Sequence, residues 1–323
     1  MTKLNWSLVA AARDGGGRIT PAKLKAVLAG ADLESETAAF AGRGYKFSLT
    51  PRGSLQLVEW PNRLFAEEIA HELRTDVVGK RVETHWSTTS TNDLAKNEAA
   101  RRREGTAVFA EEQTAGRGRF GRRWTAPKFS ALLFSMALHG ALKEPAAEAL
   151  ALAGAAAVAE AIDETYRLPA RIRWPNDVLI EERKVSGVLV ENIGADADGR
   201  WFVIGIGVNV NVAREAFSPE LRDTAASISE FICGRADRAL IARAILRRLD
   251  FWWEMLKAGQ LQRLSETCRR LSALMGRFVT VESGGKRYTG RVVDLDQQYG
   301  LVLQLSGGPT RVFAPGQTTL IHQ

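Results

Sequence analysis

The chain has 323 residues, 45% of them apolar and 25% charged, an ordinary globular balance that excludes a disordered chain and suits about two or three domains. A formal net charge of +7 admits nucleic acid, nucleotides or an acidic protein without choosing among them. Two distant cysteines, Cys233 and Cys268, exclude a disulfide scaffold and read as reduced thiols of a cytoplasmic protein. The scattered His71, His85, His139 and His322 supply no metal-ligand spacing, so no metal site is expected.

Residues 1–78 read as a small separate unit. WSLVAAAR (6–13) suits a short helix broken by GGG (15–17), and Thr20-Pro21 caps and starts a second one. KFSLTPRGSLQLVEW (46–60) alternates apolar and polar around Pro51-Arg52-Gly53, which predicts a β-hairpin. Short helices followed by a hairpin outline a winged helix.

Residues 79–275 alternate strands and helices. RVETHWS (81–87), TAVFAEEQ (106–113) and SALLFSMALH (130–139) read as strands, with a helix over 91–103. Residues 144–166 predict an Ala-rich helix; its ALALAGAAAVA core is too short to span a bilayer. RIRWPNDVLIEERKVSGVLVENI (171–193) predicts two strands around a charged turn, and RWFVIGIGVNVN (200–211) one more. Helices are expected at 213–216 and 237–275, with Trp252 and Trp253 as packing residues. The pattern is α+β with a mixed or largely antiparallel sheet. Residues 276–323 hold five short alternating stretches between Gly-rich turns at 284–285, 299–300 and 307–308, which predict a small β-barrel.

Four clusters carry candidate chemistry. GRGRFGRRW (116–124) sets Arg117, Arg119, Arg122 and Arg123 among three glycines; from Arg101 to Arg123 there are seven arginines against three glutamates. Arginine forks grip phosphate or carboxylate oxygens, glycines bring the backbone close, and Trp124 offers a flat face for a base. Gln113, just upstream, can read an amide or ureido group. In RWPND (173–177), Pro175, Asn176 and Asp177 suit a turn, while Lys184, near Gly187, aims a positive charge at a space glycine keeps open. STTSTND (87–93) offers N-cap hydroxyls that can also hold a polar head group. In GIGVNVN (205–211), Asn209 and Asn211 need a partner, either loop backbone or a nucleotide base.

These clusters, in this order, resemble biotin–protein ligases, also called biotin–[acetyl-CoA-carboxylase] ligases. STND, QTAGRGRFGRRW, RWPND, KVSGVLVE and GIGVNVN carry the resemblance, which covers roughly residues 80–323. It implies a class II aminoacyl-tRNA-synthetase-like mixed sheet with flanking helices, an N-terminal winged-helix-like domain and a C-terminal SH3-like β-barrel. It also implies two steps: biotin and Mg-ATP give biotinyl-5′-AMP and pyrophosphate, and a lysine of a biotin carboxyl carrier domain then displaces AMP.

By the same resemblance, Ser90, Thr91, Asn92 and Gln113 face the biotin head group. Arg117, Gly118 and Arg119 line its chain and hold the acyl phosphate, and Gly187 lies beside it. Lys184 meets the reacting carboxylate and phosphate, and Asp177 orients or deprotonates the incoming lysine. Trp124 covers the adenine, Asn209 hydrogen-bonds it, and Arg122 and Asn176 complete the nucleotide side. Arg173 stands where the family usually has lysine. The longer family members repress transcription, but ADLESETAAFAGRG (31–44) carries Asp32, Glu34 and Glu36 where a recognition helix is expected, and these oppose DNA phosphates. A lipoate–protein ligase of the same fold and a biotin-sensing DNA-binding repressor stay open as alternatives, as does a homodimer; no membrane association is expected.

Overall fold

The computed structural model describes residues 4–142, 146–232, 234–295 and 300–322. Cys233, the first two residues of the predicted 144–166 helix and the Tyr299 side of the 299–300 turn lie outside them. The chain divides into two compact units, Met1–Glu72 and Leu73–Gln323.

The first unit runs α1 (Trp6–Asp14), β1 (Arg18–Ile19), α2 (Pro21–Leu28), α3 (Leu33–Ala41), β2 (Lys46–Leu49), β3 (Leu55–Glu59) and α4 (Ala66–Ala70). Its sheet has the order β1-β3-β2. Thr20 caps α2 through Lys23 N–H with Pro21 behind it, and Asp32 caps α3 through Ser35 N–H at 2.8 Å. Asp32 thus has a local structural job. The core is aromatic: Trp6 meets Phe40 edge-on at 5.2 Å and Tyr45 at 5.9 Å. The Arg43 guanidinium lies over the Phe65 ring, 4.9 Å from its centroid.

The second unit continues β4 (Arg81–His85), α5 (Thr91–Ala100), β5 (Thr106–Ala110), β6 (Ala131–Gly140), α6 (Ala146–Tyr166), β7 (Arg171–Arg173), β8 (Asp177–Ile180), β9 (Arg183–Ala195), β10 (Arg200–Asn209), α7 (Arg238–Lys257) and α8 (Leu261–Leu271). Seven strands form one sheet in the order β4-β5-β6-β10-β9-β8-β7. Only the β4–β5 pair in it is parallel, so the sheet is mixed as expected.

Alternation along β10 divides its side chains between the two faces of the sheet. Ile204 and, from β9, Val188 lie so close under α6 that a Cβ at Gly154 would sit 2.9 Å from both. Small residues on α6 permit that approach. The intervening positions, Gly205, Gly207 and Asn209, reach the cavity described below. Phe109 and Phe134 stack at 4.8 Å within the sheet, and Trp252 and Trp253 are buried as expected.

Three expectations are corrected. Residues 171–193 form three strands, because Trp174-Pro175-Asn176, with a cis Trp174–Pro175 bond, turns the chain between β7 and β8. The 237–275 stretch breaks at Gly259, whose φ of 69° ends α7 before α8 begins. In the C-terminal region β11 (Phe278–Ser283), β12 (Lys286–Leu295), β13 (Leu301–Leu305), β14 (Thr310–Phe313) and β15 (Thr318–His322) form an antiparallel sheet in the order β14-β13-β12-β11-β15. Its outer strands β14 and β15 share no ladder, so among the described residues it is an open sheet rather than a closed barrel. Bulges at Val292/Asp294 and Thr280/Val281 bend it without closing it.

Candidate active site

One cavity of about 530 Å³ opens over the front face of β9 and β10. All fifteen candidate site residues border it: Ser90, Thr91, Asn92, Gln113, Arg117, Gly118, Arg119, Arg122, Trp124, Arg173, Asn176, Asp177, Lys184, Gly187 and Asn209. They arrive from five separate segments. The N-terminus of α5 brings the hydroxyls and Asn92. The Arg/Gly segment forms a small hairpin, with Gly118 N–H donating to Arg122 O at 2.7 Å and Trp124 N–H to Gly116 O at 3.0 Å. The turn into β8 brings Asn176 and Asp177, and β9 and β10 form the floor.

The floor depends on glycine. Gly187 and Gly207 are cross-strand partners. A Cβ on Gly207 would run into the Trp124 indole, and one on Gly187 would sit 3.2 Å from both that indole and Lys184 Nζ. Trp124 therefore rests on a glycine platform, and its Nε1 is buried without a hydrogen-bond partner. Lys184 Nζ lies 5.6 Å from the same ring's centroid, a cation–π distance.

Positive charge is concentrated and held in place. Asp177 Oδ1 accepts from Lys184 Nζ at 2.6 Å, and Oδ2 accepts from Arg173 Nη2 at 3.0 Å. Arg119 donates to Asn176 Oδ1 at 3.1 Å and to Pro315 O, from the C-terminal sheet region, at 2.5 Å. Burial lowers the Arg119 pKa from its ordinary value, against the opposing pull of Asp177. An arginine stays cationic through such a shift. Asn176 also donates to Val188 O at 2.8 Å, which ties this turn to the floor.

At the start of α5 a set of neutral groups is tightly linked. Gln113 Oε1 accepts from Thr91 N–H at 2.8 Å. Thr91 Oγ1 lies 2.7 Å from Ser135 Oγ, and Ser135 donates to Asn92 Oδ1 at 2.6 Å. Arg117 forks onto Asp93 at 3.0 and 2.6 Å, an exposed pair at the rim. That hydrogen bond lowers the Asp93 pKa and raises that of Arg117.

The two strand asparagines separate. Asn211 makes a two-way bond with the backbone of Ala236, both at 2.9 Å, which is structural. Asn209 is buried at the cavity, and its amide has no hydrogen-bond partner among the described residues. Of the two asparagines, only Asn209 thus keeps hydrogen-bonding capacity to spare.

Sequence reasoning missed part of the wall. Phe217, Leu221, Thr224 and Ala225 come from the segment after β10, and Thr318–Ile321 come from β15. No motif marks them: apolar and threonine side chains carry no chemical signature, and their sequence distance hides their proximity. Phe120, also on the wall, adopts φ 55° and lies 59% exposed at the loop tip.

Among the described residues no group of three or more His, Cys, Asp or Glu side chains is placed to hold a metal ion. Both Asp177 oxygens face cations. The cavity's donor set is therefore cationic and amide, suited to anionic oxygens, and does not fit a protein-held Mg²⁺.

Known proteins resemble this arrangement. The model of the biotin/lipoate A/B protein ligase family matches residues 84–211. The bifunctional ligase/repressor BirA of Bacillus spizizenii is 35% identical over 275 residues, covering 84% of this chain and 84% of that protein. The biotin–[acetyl-CoA-carboxylase] ligase of Mycobacterium tuberculosis is 31% identical over 258 residues, covering 76% of this chain and 92% of that one. The structure of the biotin protein ligase from Aquifex aeolicus in complex with biotin and ATP superposes with a TM-score of 0.63 at 27% identity, covering 76% of this chain and 100% of that one. With its cationic cavity, glycine floor and mixed sheet, the chain belongs to the biotin–protein ligases.

Proposed function

We propose that this cavity binds biotin and ATP together, joins them as biotinyl-5′-AMP, and passes the biotinyl group to a lysine of a biotin carboxyl carrier domain. ATP-dependent biotinylation is the activity of the family, and the convergence of a neutral recognition cluster with a cation cluster in one 530 Å³ cavity carries the assignment of roles. The hydroxyls and amides of Ser90, Thr91, Asn92 and Gln113 suit an uncharged cyclic urea. Arg119 and Lys184 suit the carboxylate and the α-phosphate.

In the first step a carboxylate oxygen attacks the α-phosphorus and pyrophosphate leaves. Two anions must meet, so fixed positive charge is the main requirement. Arg119 and Lys184 supply it, and Asp177 and Asn176 hold their side chains in place before substrate arrives. Arg122 stands on the same wall for the polyphosphate; magnesium enters as Mg-ATP. Asn209 offers its open amide to the adenine edge, with Trp124 against the ring. In the second step the carrier's lysine amine attacks the acyl carbon and AMP departs. Asp177 is the carboxylate available to receive the amine, with Arg173 keeping one oxygen turned toward the cavity. The Arg/Gly hairpin screens the anhydride from water.

Mass spectrometry of products from Mg-ATP with biotin, or with lipoate, in the absence of acceptor tests this reading. Biotinyl-AMP from biotin alone is expected. Lipoyl-AMP instead would move the chain to lipoate ligation.

A second reading concerns the first unit, for which we keep residues 1–78 as a winged-helix-like domain ahead of the catalytic region 79–275 and the C-terminal region 276–323. Its helices and hairpin suit DNA, and relatives named as repressors align over much of the chain. Yet residues 1–72 carry nine Lys/Arg against eight Asp/Glu. A near-neutral unit lacks the charge that phosphate contacts need. A mobility shift on promoter DNA across a salt series should show no specific complex. Among the described residues no helix is long and apolar enough to cross a membrane.

A further inference from the structure

We propose that Glu191, acting through Asn92 and Ser135, is a positioning residue that fixes which groups at the α5 end of the cavity donate and which accept, and thereby sets the affinity for the cyclic-urea end of the substrate. The inference rests on the ligase reading above and adds a layer behind the cavity wall. Neither Glu191 nor Ser135 borders the cavity itself.

The linkage can be followed atom by atom. Glu191 Oε2 accepts from Asn92 Nδ2 at 2.5 Å, while its other oxygen accepts from Lys96 Nζ at 2.8 Å. Arg117 Nη2 lies 4.0 Å away and is itself held by Asp93. A carboxylate only accepts, so the Asn92 amide has its nitrogen toward Glu191 and its oxygen toward Ser135. Burial alone would raise the Glu191 carboxyl, yet the bonds from Lys96 and Asn92 bring it below its ordinary value, which keeps it an acceptor.

The oxygen of Asn92 then takes the Ser135 hydroxyl hydrogen, at 2.6 Å. Ser135 Oγ, its own hydrogen spent, is left to accept the Thr91 hydroxyl at 2.7 Å. Gln113 Oε1 is served by Thr91 N–H at 2.8 Å and stands 3.0 Å from Thr91 Oγ1. Two hydroxyl hydrogens thus serve three oxygen–oxygen contacts, and the longest goes without one. Along the side-chain path Thr91–Ser135–Asn92 each donor then runs toward Glu191. Two consequences face the cavity: Thr91 Oγ1 presents lone pairs, and the Gln113 amide nitrogen, turned away from Thr91, presents hydrogens. An acceptor beside a donor matches the N–H and C=O of a cyclic urea.

The packing makes this arrangement rigid. Ser135 is fully buried, Thr91 is 2% and Asn92 4% exposed. Asn92 Oδ1 lies directly over Gly205, where a Cβ would collide with it. The glycine of β10 therefore exists for Asn92 as Gly207 does for Trp124.

The test measures biotin binding directly by calorimetry and turnover by pyrophosphate release, in wild type, Glu191→Gln, Glu191→Asp, Ser135→Ala and Lys96→Met. Glu191→Gln removes the fixed acceptor and lets Asn92 turn over. It and Ser135→Ala are expected to weaken biotin binding about ten- to a hundred-fold, while KM for ATP stays within about two-fold. Glu191→Asp is expected to recover part of the affinity, and Lys96→Met to leave it within about three-fold. Melting temperatures accompany each variant. Equal losses for biotin and ATP, or losses that track melting temperature, would make Glu191 merely structural and overturn the proposal. Unchanged biotin affinity in both Glu191→Gln and Ser135→Ala would overturn it as well. A wild-type protein that binds no biotin would instead overturn the ligase reading beneath it.

Discussion

At one side of the cavity one carboxylate holds two cations that are near it in sequence: Asp177 sits four residues from Arg173 and seven from Lys184, and takes one on each oxygen, while Arg119 is held from further off by Asn176 and Pro315. At the α5 side the groups inside the Arg117 rim are neutral, and what holds them comes from far away: Ser135 lies 43 residues from Asn92 and Glu191 lies 99. The difference follows from what each side must bind. Charges on phosphate and carboxylate are recognised by strength, which a local loop can deliver. A neutral ring is recognised by the sense of each hydrogen bond, and that sense survives only when a rigid scaffold prevents hydroxyls and amides from turning.

The largest effects are expected at the ionic side. Lys184→Ala is expected to slow adenylate formation by about 10²–10³-fold, read as pyrophosphate release, with a smaller loss of biotin affinity. Arg119→Gly comes next. It removes the bonds to Asn176 and Pro315 together, so biotinyl-AMP should leave early and label bystander proteins. Labelling as selective as wild type's would count against the clamp.

The nucleotide side sharpens the contrast with smaller effects. Gly207→Ala must displace the Trp124 indole, and KM for ATP should rise about ten-fold with little change for biotin. Asn209→Ala should raise KM for ATP by a similar factor at unchanged melting temperature. Asn211→Ala should do the reverse, destabilising the fold by about 1–3 kcal/mol through two unpaired groups at Ala236 while sparing catalysis.

The smallest effect is in acid. The bond from Arg117 lowers the Asp93 pKa below 3.8, and that of Glu191 falls below 4.5. A depressed carboxyl stabilises the fold above its unfolded pKa, and the contribution disappears as pH falls through the folded one. Biotin affinity and melting temperature should therefore hold from neutrality to about pH 5 and decline below 4. Asp196, brought to about 2 mainly by bonds from Trp201 and His139, should keep its loop intact further down. A loss of biotin affinity already at pH 6 would contradict the role of Glu191. Cys268 should resist thiol reagents, because burial pushes it up to about 12.

Much of this was legible in the order of residues. Glycine beside arginine, proline between tryptophan and asparagine, and alternating asparagines each announce a local constraint, and most of the residues they marked border one cavity, Asn211 being an exception. What escaped was equally consistent. Ser135 reads as an interruption in an apolar strand, Glu191 as one charge at a strand's outer half, and Thr318–Ile321 as a plain edge strand. Their meaning lies in who stands opposite, and spacing along the chain does not encode that. The C-terminal region shows the same limit: strand count and turn glycines predict its five strands, all of which are present, while a closing ladder depends on whether the outer strands β14 and β15 meet.

Side-chain type and local period therefore set the chemistry of the parts: which loops are cationic, which turns are fixed by proline or opened by glycine, and which strands have an apolar face. Only the tertiary structure decided their direction: that Asn209 is open while Asn211 is spent, that Asp177 holds two cations at once, and that a carboxylate behind the wall orients the hydroxyls in front of it. Hydrogen bonds and ion pairs are short-ranged, so their partners are set by the fold that brings distant strands within 3 Å.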